Sequence, residues 1–202
     1  TVYFAGTLYW LVGTMETFGG LPLPVAVVVC ALLVVFLALY VALFAWTLDR
    51  AVSRWGLAAL WAAPFLWVAV EYLRSWIGGG FPWVLLGYSQ VFVAPVAQFA
   101  SVASVYGLSA LLVAVSAGLA IVVRHDRPAW RASLPLGGVL LLTVSIAVWG
   151  SVRVARGTLL TSGDAIRLGL VQGNIEQAEK WDPNRAGQIL DRYLQMSRET
   201  IG

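Results

Sequence analysis

Charged side chains are few in this chain: 11% of the residues, against about a quarter in ordinary soluble domains. Hydrophobic residues make up 60%, more apolar surface than a water-solvated fold of this size is able to hide. Basic residues are too few and too dispersed for a nucleic-acid surface. The formal net charge is only +3, and Lys and Arg stand at the ends of apolar runs rather than on one accessible face. No basic n-region precedes the opening apolar run, so Val2 to Met15 reads as the remainder of a spanning helix rather than as a signal peptide. The chain stops at Thr200-Ile201-Gly202 without a terminator, and both ends read as truncations. Internal repeats and paired broken helices are lacking, which argues against a transporter. The single cysteine, Cys30, lies inside an apolar run and reads as packing. His125 stands alone in an arginine-rich loop, so no metal site and no cofactor are expected.

The charge that is there is unevenly placed. Of 23 charged side chains (13 basic plus 10 acidic), 12 lie in the last 49 residues and 11 in the 153 before them. Two environments therefore share one chain, with a boundary near Arg153. Before it, uncharged runs locate helices long enough for a hydrocarbon core of about 30 Å. The expected spans are residues 1–15 (partial), 23–48, 55–77, 103–123 and 133–152, with Pro64 expected to kink the third. Residues 78–101 hold no charge, yet Gly78-Gly79-Gly80, Pro82, Tyr88-Ser89-Gln90, Pro95 and Gln98 suit irregular backbone at an interface. A single span between that loop and Arg124 keeps Arg50, Arg54, Arg124, Arg127 and Arg131 on one side. The positive-inside rule makes that side cytoplasmic and puts the loop, and everything after Arg153, outside.

Beyond Arg156 the periodicity changes. Ile166 to Gln172 alternates weakly, as a half-buried strand does, and Gly173-Asn174 ends it. Asp182-Pro183 supplies an N-cap and a first-position proline, after which Ile189, Leu190, Tyr193, Leu194 and Ile201 recur at helical spacing. A strand followed by a helix opens an α/β layer without completing it. The fold class read from the sequence is thus an all-α membrane helical bundle (1–153) followed by the first strand and helix of an α/β domain (154–202).

Glu71 and Arg74 are the candidates of greatest interest, because they share one helix face and ionisable groups within a span are expensive unless paired or functional. They organise the outer loop or meet a lipid headgroup on one reading, while on the other Arg74 merely snorkels from the helix end. Gly80-Phe81-Pro82-Trp83 is either a tight turn with an interfacial tryptophan or a functional loop. Gln172, Asn174 and Trp181 pose the same choice between packing and substrate contact.

Several segments together resemble one family. PFLWVAVEYLR from Pro64 to Arg74, GFPWVLLGYSQ from Gly80 to Gln90, Pro95-Val96-Ala97-Gln98 with Tyr106-Gly107-Leu108-Ser109, and LVQGNIEQAEKWDP from Leu170 to Pro183 are similar, in order and spacing, to apolipoprotein N-acyltransferases of the bacterial inner membrane. The resemblance implies that residues from 154 onward open a nitrilase-like α-β-β-α domain on the periplasmic side. It further implies that the whole enzyme moves an acyl group from a membrane phospholipid to the α-amine of a diacylglyceryl-modified lipoprotein, through a cysteine thioester. The family's catalytic Glu, Lys and Cys are expected beyond Gly202, and Lys180 is read as a loop residue. Glu71, Arg74, Gly80, Phe81, Pro82, Trp83, Tyr88, Gln90, Gln172, Asn174 and Trp181 are the residues implied to bind substrate or lipid or to organise the loop. A noncatalytic membrane anchor, or an acyltransferase-like half fused to a polyprenol-phosphate mannosyltransferase, is the alternative.

Overall fold

A computed structural model describes residues 1–124, 129–157, 168–177, 179–180 and 182–201. Helix α1 (Val2–Leu8) runs into α2 (Trp10–Thr17) through Tyr9, whose backbone stays helical. Helix α3 (Leu23–Trp55) is the longest element and starts just after Pro22. It ends at Gly56, whose φ of 74° a residue bearing a Cβ adopts only under strain. Its outer face is lined with exposed valines and leucines such as Val25, Val28, Leu32 and Leu39. A helix apolar all round is stable only where hydrocarbon is the solvent. At its C-terminal end Arg50 lies 5.2 Å from the centre of the Trp46 ring, as cations and indoles do at a membrane boundary.

The expected third span is not one kinked helix. Leu57–Ala62 forms a 3₁₀ turn, and α4 (Ala63–Arg74) begins there with Pro64 in its first turn. Proline in a first turn removes an N–H that has no intrahelical partner anyway, so Pro64 starts a helix instead of bending one. After α4 the chain runs through turns at Ile77–Gly79 and Leu86–Gln90 and a short helix α5 (Ala94–Ala97). Helix α6 (Ala100–Arg124) follows, broken at Ser104, and then α7 (Ala129–Arg156). Among the described residues four stretches, Leu23–Trp55, Leu57–Arg74, Ala100–Arg124 and Ser133–Arg156, are long and apolar enough to cross a membrane.

The helices differ in length, and the difference shapes the site. Leu57–Arg74 rises about 30 Å while the 33 residues of α3 rise about 50 Å. The end of α4 therefore falls opposite the middle of α3. Contacts agree: Phe81 and Val84 pack on a cluster of Phe4, Leu8, Val34 and Leu37. A Cβ on Gly78 would stand 3.1 Å from Cζ of Phe36.

In the tail, Asp182 caps the turn Pro183–Arg185 by accepting from the Asn184 amide at 2.9 Å, and α8 (Ala186–Ile201) follows. The expected strand does not form among the described residues. Ile166 and Arg167 lie outside them, and Leu168–Gln172 has no regular structure. A strand exists only against a neighbour, and no described segment supplies one. Leu170 is left 93% exposed.

Candidate functional site

The site is built where α4 stops short. The last turn of α4 presents Glu71 and Arg74 inward, 3% and 4% exposed, and they are the buried charged side chains among the described residues. The two do not bind each other within salt-bridge distance; both turn to the backbone of the returning loop. The Leu86 amide donates to Oε1 of Glu71 at 2.7 Å. The Arg74 guanidinium donates to the carbonyls of Trp83 at 3.2 Å and Val84 at 3.4 Å. Its own carbonyl accepts from the Phe81 amide at 2.9 Å.

Neighbouring helices complete the attachment. The Gly87 amide donates to Oγ of Ser109 on α6 at 2.9 Å, and the Tyr3 hydroxyl on α1 donates to the Val84 carbonyl at 3.3 Å. Oγ of Ser75 lies 3.0 Å from the hydroxyl of Tyr106. The loop takes this path because Gly78, Gly79 and Gly80 all have positive φ. A Cβ on Gly80 would collide with the Ser75 carbonyl. Val84 is also left-handed, at φ 52°, and its carbonyl is held by both Arg74 and Tyr3. Gly87 lies so close to α6 that a Cβ there would overlap Val105.

A cavity of about 120 Å³ lies beneath this loop, between α1, α3 and α4, walled by Tyr3, Phe4, Tyr40, Trp67, Val84 and Leu86 and bordered by Glu71 and Arg74. Nε1 of Trp67, Oε2 of Glu71 and Nε of Arg74 are buried without a hydrogen bond. The guanidinium carbon stands 5.4 Å from the Phe4 ring centre, a further contact for a cation held away from water.

The other sequence candidates are distributed as follows. Phe81 and Trp83 form a ring pair at 5.1 Å, with Trp83 and Pro82 exposed. Tyr88 is exposed, and Nε2 of Gln90 donates to Oγ of Ser89 at 3.0 Å. Glu71, Arg74 and the Gly80–Gln90 segment are thus one assembly. Gln172 and Asn174 belong to another place: both are exposed, and Asn174 lines a polar cleft with Glu179, Arg185 and Arg192, crossed by a Glu179–Arg185 ion pair. Among the described residues no hydrogen bond joins them to the loop. Trp181 lies outside the described residues. Cys30 is buried, its thiol 3.7 Å from the Leu8 carbonyl, consistent with packing. Sequence reasoning gives no role to Tyr3, Tyr106 or Ser109, although the last two stand in a segment that carries the family resemblance; hydroxyls within otherwise apolar helices are the signal that could have found them.

Comparison with known proteins bears on this arrangement. Residues 1–118 match the apolipoprotein N-acyltransferase N-terminal domain. The chain is 37% identical over 196 residues to the apolipoprotein N-acyltransferase of Geobacter metallireducens, covering 97% of this chain and 37% of that protein. It is 35% identical over 201 residues to that of Shewanella oneidensis, with 97% and 36% covered. For the protein of Vibrio cholerae the identity is 36% over 201 residues, again with 97% and 37% covered. The chain spans a little over a third of the length of these curated relatives.

Proposed function

This chain belongs to the apolipoprotein N-acyltransferase family, and we propose that it supplies the membrane bundle that positions a phospholipid-to-lipoprotein acyl transfer. In this reading an acyl group passes from a phospholipid ester to a cysteine thiolate of the whole enzyme, releasing the lysophospholipid. The free α-amine of a diacylglyceryl-modified lipoprotein then takes the acyl group and releases the thiolate. The bundle sits in the bacterial inner membrane, and residues from 154 onward open the periplasmic nitrilase-like domain. There Leu168 and Leu170 would find strands to pair with, and Gln172 and Asn174 would follow them at the end of that strand. Both substrates are amphiphiles confined to one leaflet, so holding the site at the membrane raises their effective concentration and orients the ester.

The observation that carries this reading is the attachment of the Gly80–Gln90 loop to Glu71 and Arg74. The hydrocarbon-solvated part of α3 ends near Leu48, and Phe36, level with the end of α4, lies about 18 Å beyond it along the helix. The loop is accordingly re-entrant, lying at outer-leaflet depth rather than above the membrane. Irregular backbone at that depth is tolerated only if its N–H and C=O groups are satisfied by protein. Glu71, Arg74, Ser109 and Tyr3 supply those partners. The loop then exposes Trp83, Tyr88 and Phe92 to the lipid, lining the route by which acyl chains reach the reacting groups; Glu71 and Arg74 are positioning residues.

The test uses the complete enzyme. Glu71→Gln and Arg74→Ala are expected to impair acyl transfer to a diacylglyceryl-cysteine peptide while both proteins still insert in membranes. Wild-type turnover by both variants would remove the assignment.

A further inference from the structure

A second arrangement occupies the face that α7 shares with the start of α6. The α6 backbone breaks at Ser104 (φ 61°, ψ 178°), so Phe99 and Val102 leave the helix axis ahead of the break. Facing them on α7 are Ser145, Ile146 and Trp149, and the five residues line an open groove of about 280 Å³. Ile146 is buried in it, while Val102 is 69% and Trp149 39% exposed. The Ser145 hydroxyl is already bonded to the Leu141 carbonyl at 2.8 Å, leaving the groove apolar.

One turn further along α7, the guanidinium carbon of Arg153 stands 5.2 Å from the Trp149 ring centre. Its Nε is buried without a hydrogen bond. Among the described residues no carboxylate pairs with it, and the sequence from Ser133 to Arg156 contains no acidic residue. The helix rises about 30 Å between Ser133 and Arg153, the thickness of a hydrocarbon core. Among the described residues, a cation without an acidic partner thus stands one hydrocarbon thickness along α7 from Ser133.

We propose that this groove binds one intact glycerophospholipid of the bilayer, an acyl chain lying between α7 and the start of α6 and the phosphate held by Arg153. The order of chemistry along α7 matches the order along such a lipid. An apolar slot meets the chain, an indole sits at the level of the glycerol esters, and a guanidinium meets the phosphate. Guanidinium is suited to that last contact because its planar donors pair with two phosphate oxygens at once. Inorganic phosphate satisfies the cation alone and leaves the groove unfilled, so the site is selective for the whole amphiphile. The inference does not depend on the acyl-transfer reading, since it concerns retention of a lipid and not its cleavage.

The full-length protein in dodecyl maltoside, titrated with phosphatidylglycerol and observed by native mass spectrometry, tests it. Wild type is expected to retain one lipid with an affinity about tenfold above that of Arg153→Gln, the loss expected for one charge-assisted phosphate contact. Val102→Trp, a change at an exposed rim that leaves Arg153 in place, is expected to lose the same lipid by filling the slot. Arg50→Gln, at the opposite membrane boundary, is expected to bind as wild type does. Equal retention by wild type, Arg153→Gln and Val102→Trp overturns the proposal. So does displacement of the lipid by millimolar inorganic phosphate, which would mark an anion site without a chain slot.

Discussion

Truncating Glu71 gives the sharpest probe of the loop attachment, because its carboxylate makes one defined bond, in which Oε1 accepts from the Leu86 amide at 2.7 Å in a buried site. A hydrogen bond to a charged group contributes about 1.5–3 kcal/mol net. In Glu71→Ala that amide is left unsatisfied, and the buried Arg74 guanidinium loses its nearby compensating charge. If about 2 kcal/mol of this falls on local opening of the loop, exchange of the Leu86 amide accelerates about thirtyfold, since about 1.4 kcal/mol corresponds to a factor of ten. Glu71→Gln keeps a carbonyl acceptor but not the charge, so its acceleration should be several-fold smaller. Hydrogen–deuterium exchange of the full-length protein in lipid nanodiscs, followed on a peptide spanning residues 84–90, measures both. Exchange of that peptide in Glu71→Ala at the wild-type rate would refute the reasoning, whatever happened to activity.

Three further outcomes are expected. Ser109→Ala leaves the Gly87 amide buried without an acceptor and should lower thermal stability in detergent by about 1–3 kcal/mol, without affecting insertion. Pro64→Ala should change the same stability by less than about 1 kcal/mol, because Pro64 occupies a first turn; a large loss would mean that it acts as a mid-helix kink after all. Cys30→Ala in the complete enzyme should leave acyl transfer at the wild-type rate, whereas abolished turnover would give Cys30 a chemical role.

How much of this is readable from sequence differs by element. Long uncharged runs are legible because hydrocarbon enforces them, and four of them are helices long and apolar enough to cross a membrane. The glycine triplet at 78–80 marks its turn because all three φ values are positive. The importance of Glu71 and Arg74 is readable from the cost of charge within a span, but their partners are not. Spacing of i,i+3 states that two side chains share a face without stating which backbone that face will meet. Pro64 looks like a kink in the sequence because the 3₁₀ turn of Leu57–Ala62, which runs directly into α4, leaves no compositional mark. The break at Ser104 carries neither glycine nor proline and is equally silent. The strand expected at 166–172 would depend on neighbours that no local pattern supplies.

The shortness of α4 explains why a chain so poor in charge keeps two ionisable residues inside a span. Had α4 continued to the height of α3, its own carbonyls and amides would have satisfied each other, and Glu71 and Arg74 would only have added desolvation cost. Ending it early opens the bundle wall at the level of Phe36 and, at the depth proposed for the loop, turns the following residues into backbone that must find donors and acceptors away from water. One carboxylate facing an amide and one guanidinium facing two carbonyls meet that need with few groups, because each charge-assisted bond is stronger than a neutral one. The pair is also nearly neutral overall, which limits the penalty of burial. Replacing both, as in Glu71→Leu with Arg74→Met, should therefore insert and fold with stability close to wild type, as buried pairs exchanged for apolar groups commonly do. The loop, however, would lose its attachment. If the double variant transferred acyl groups at the wild-type rate, the charges would be relics of folding; if it were stable yet inactive, their role is to hold the opening in shape.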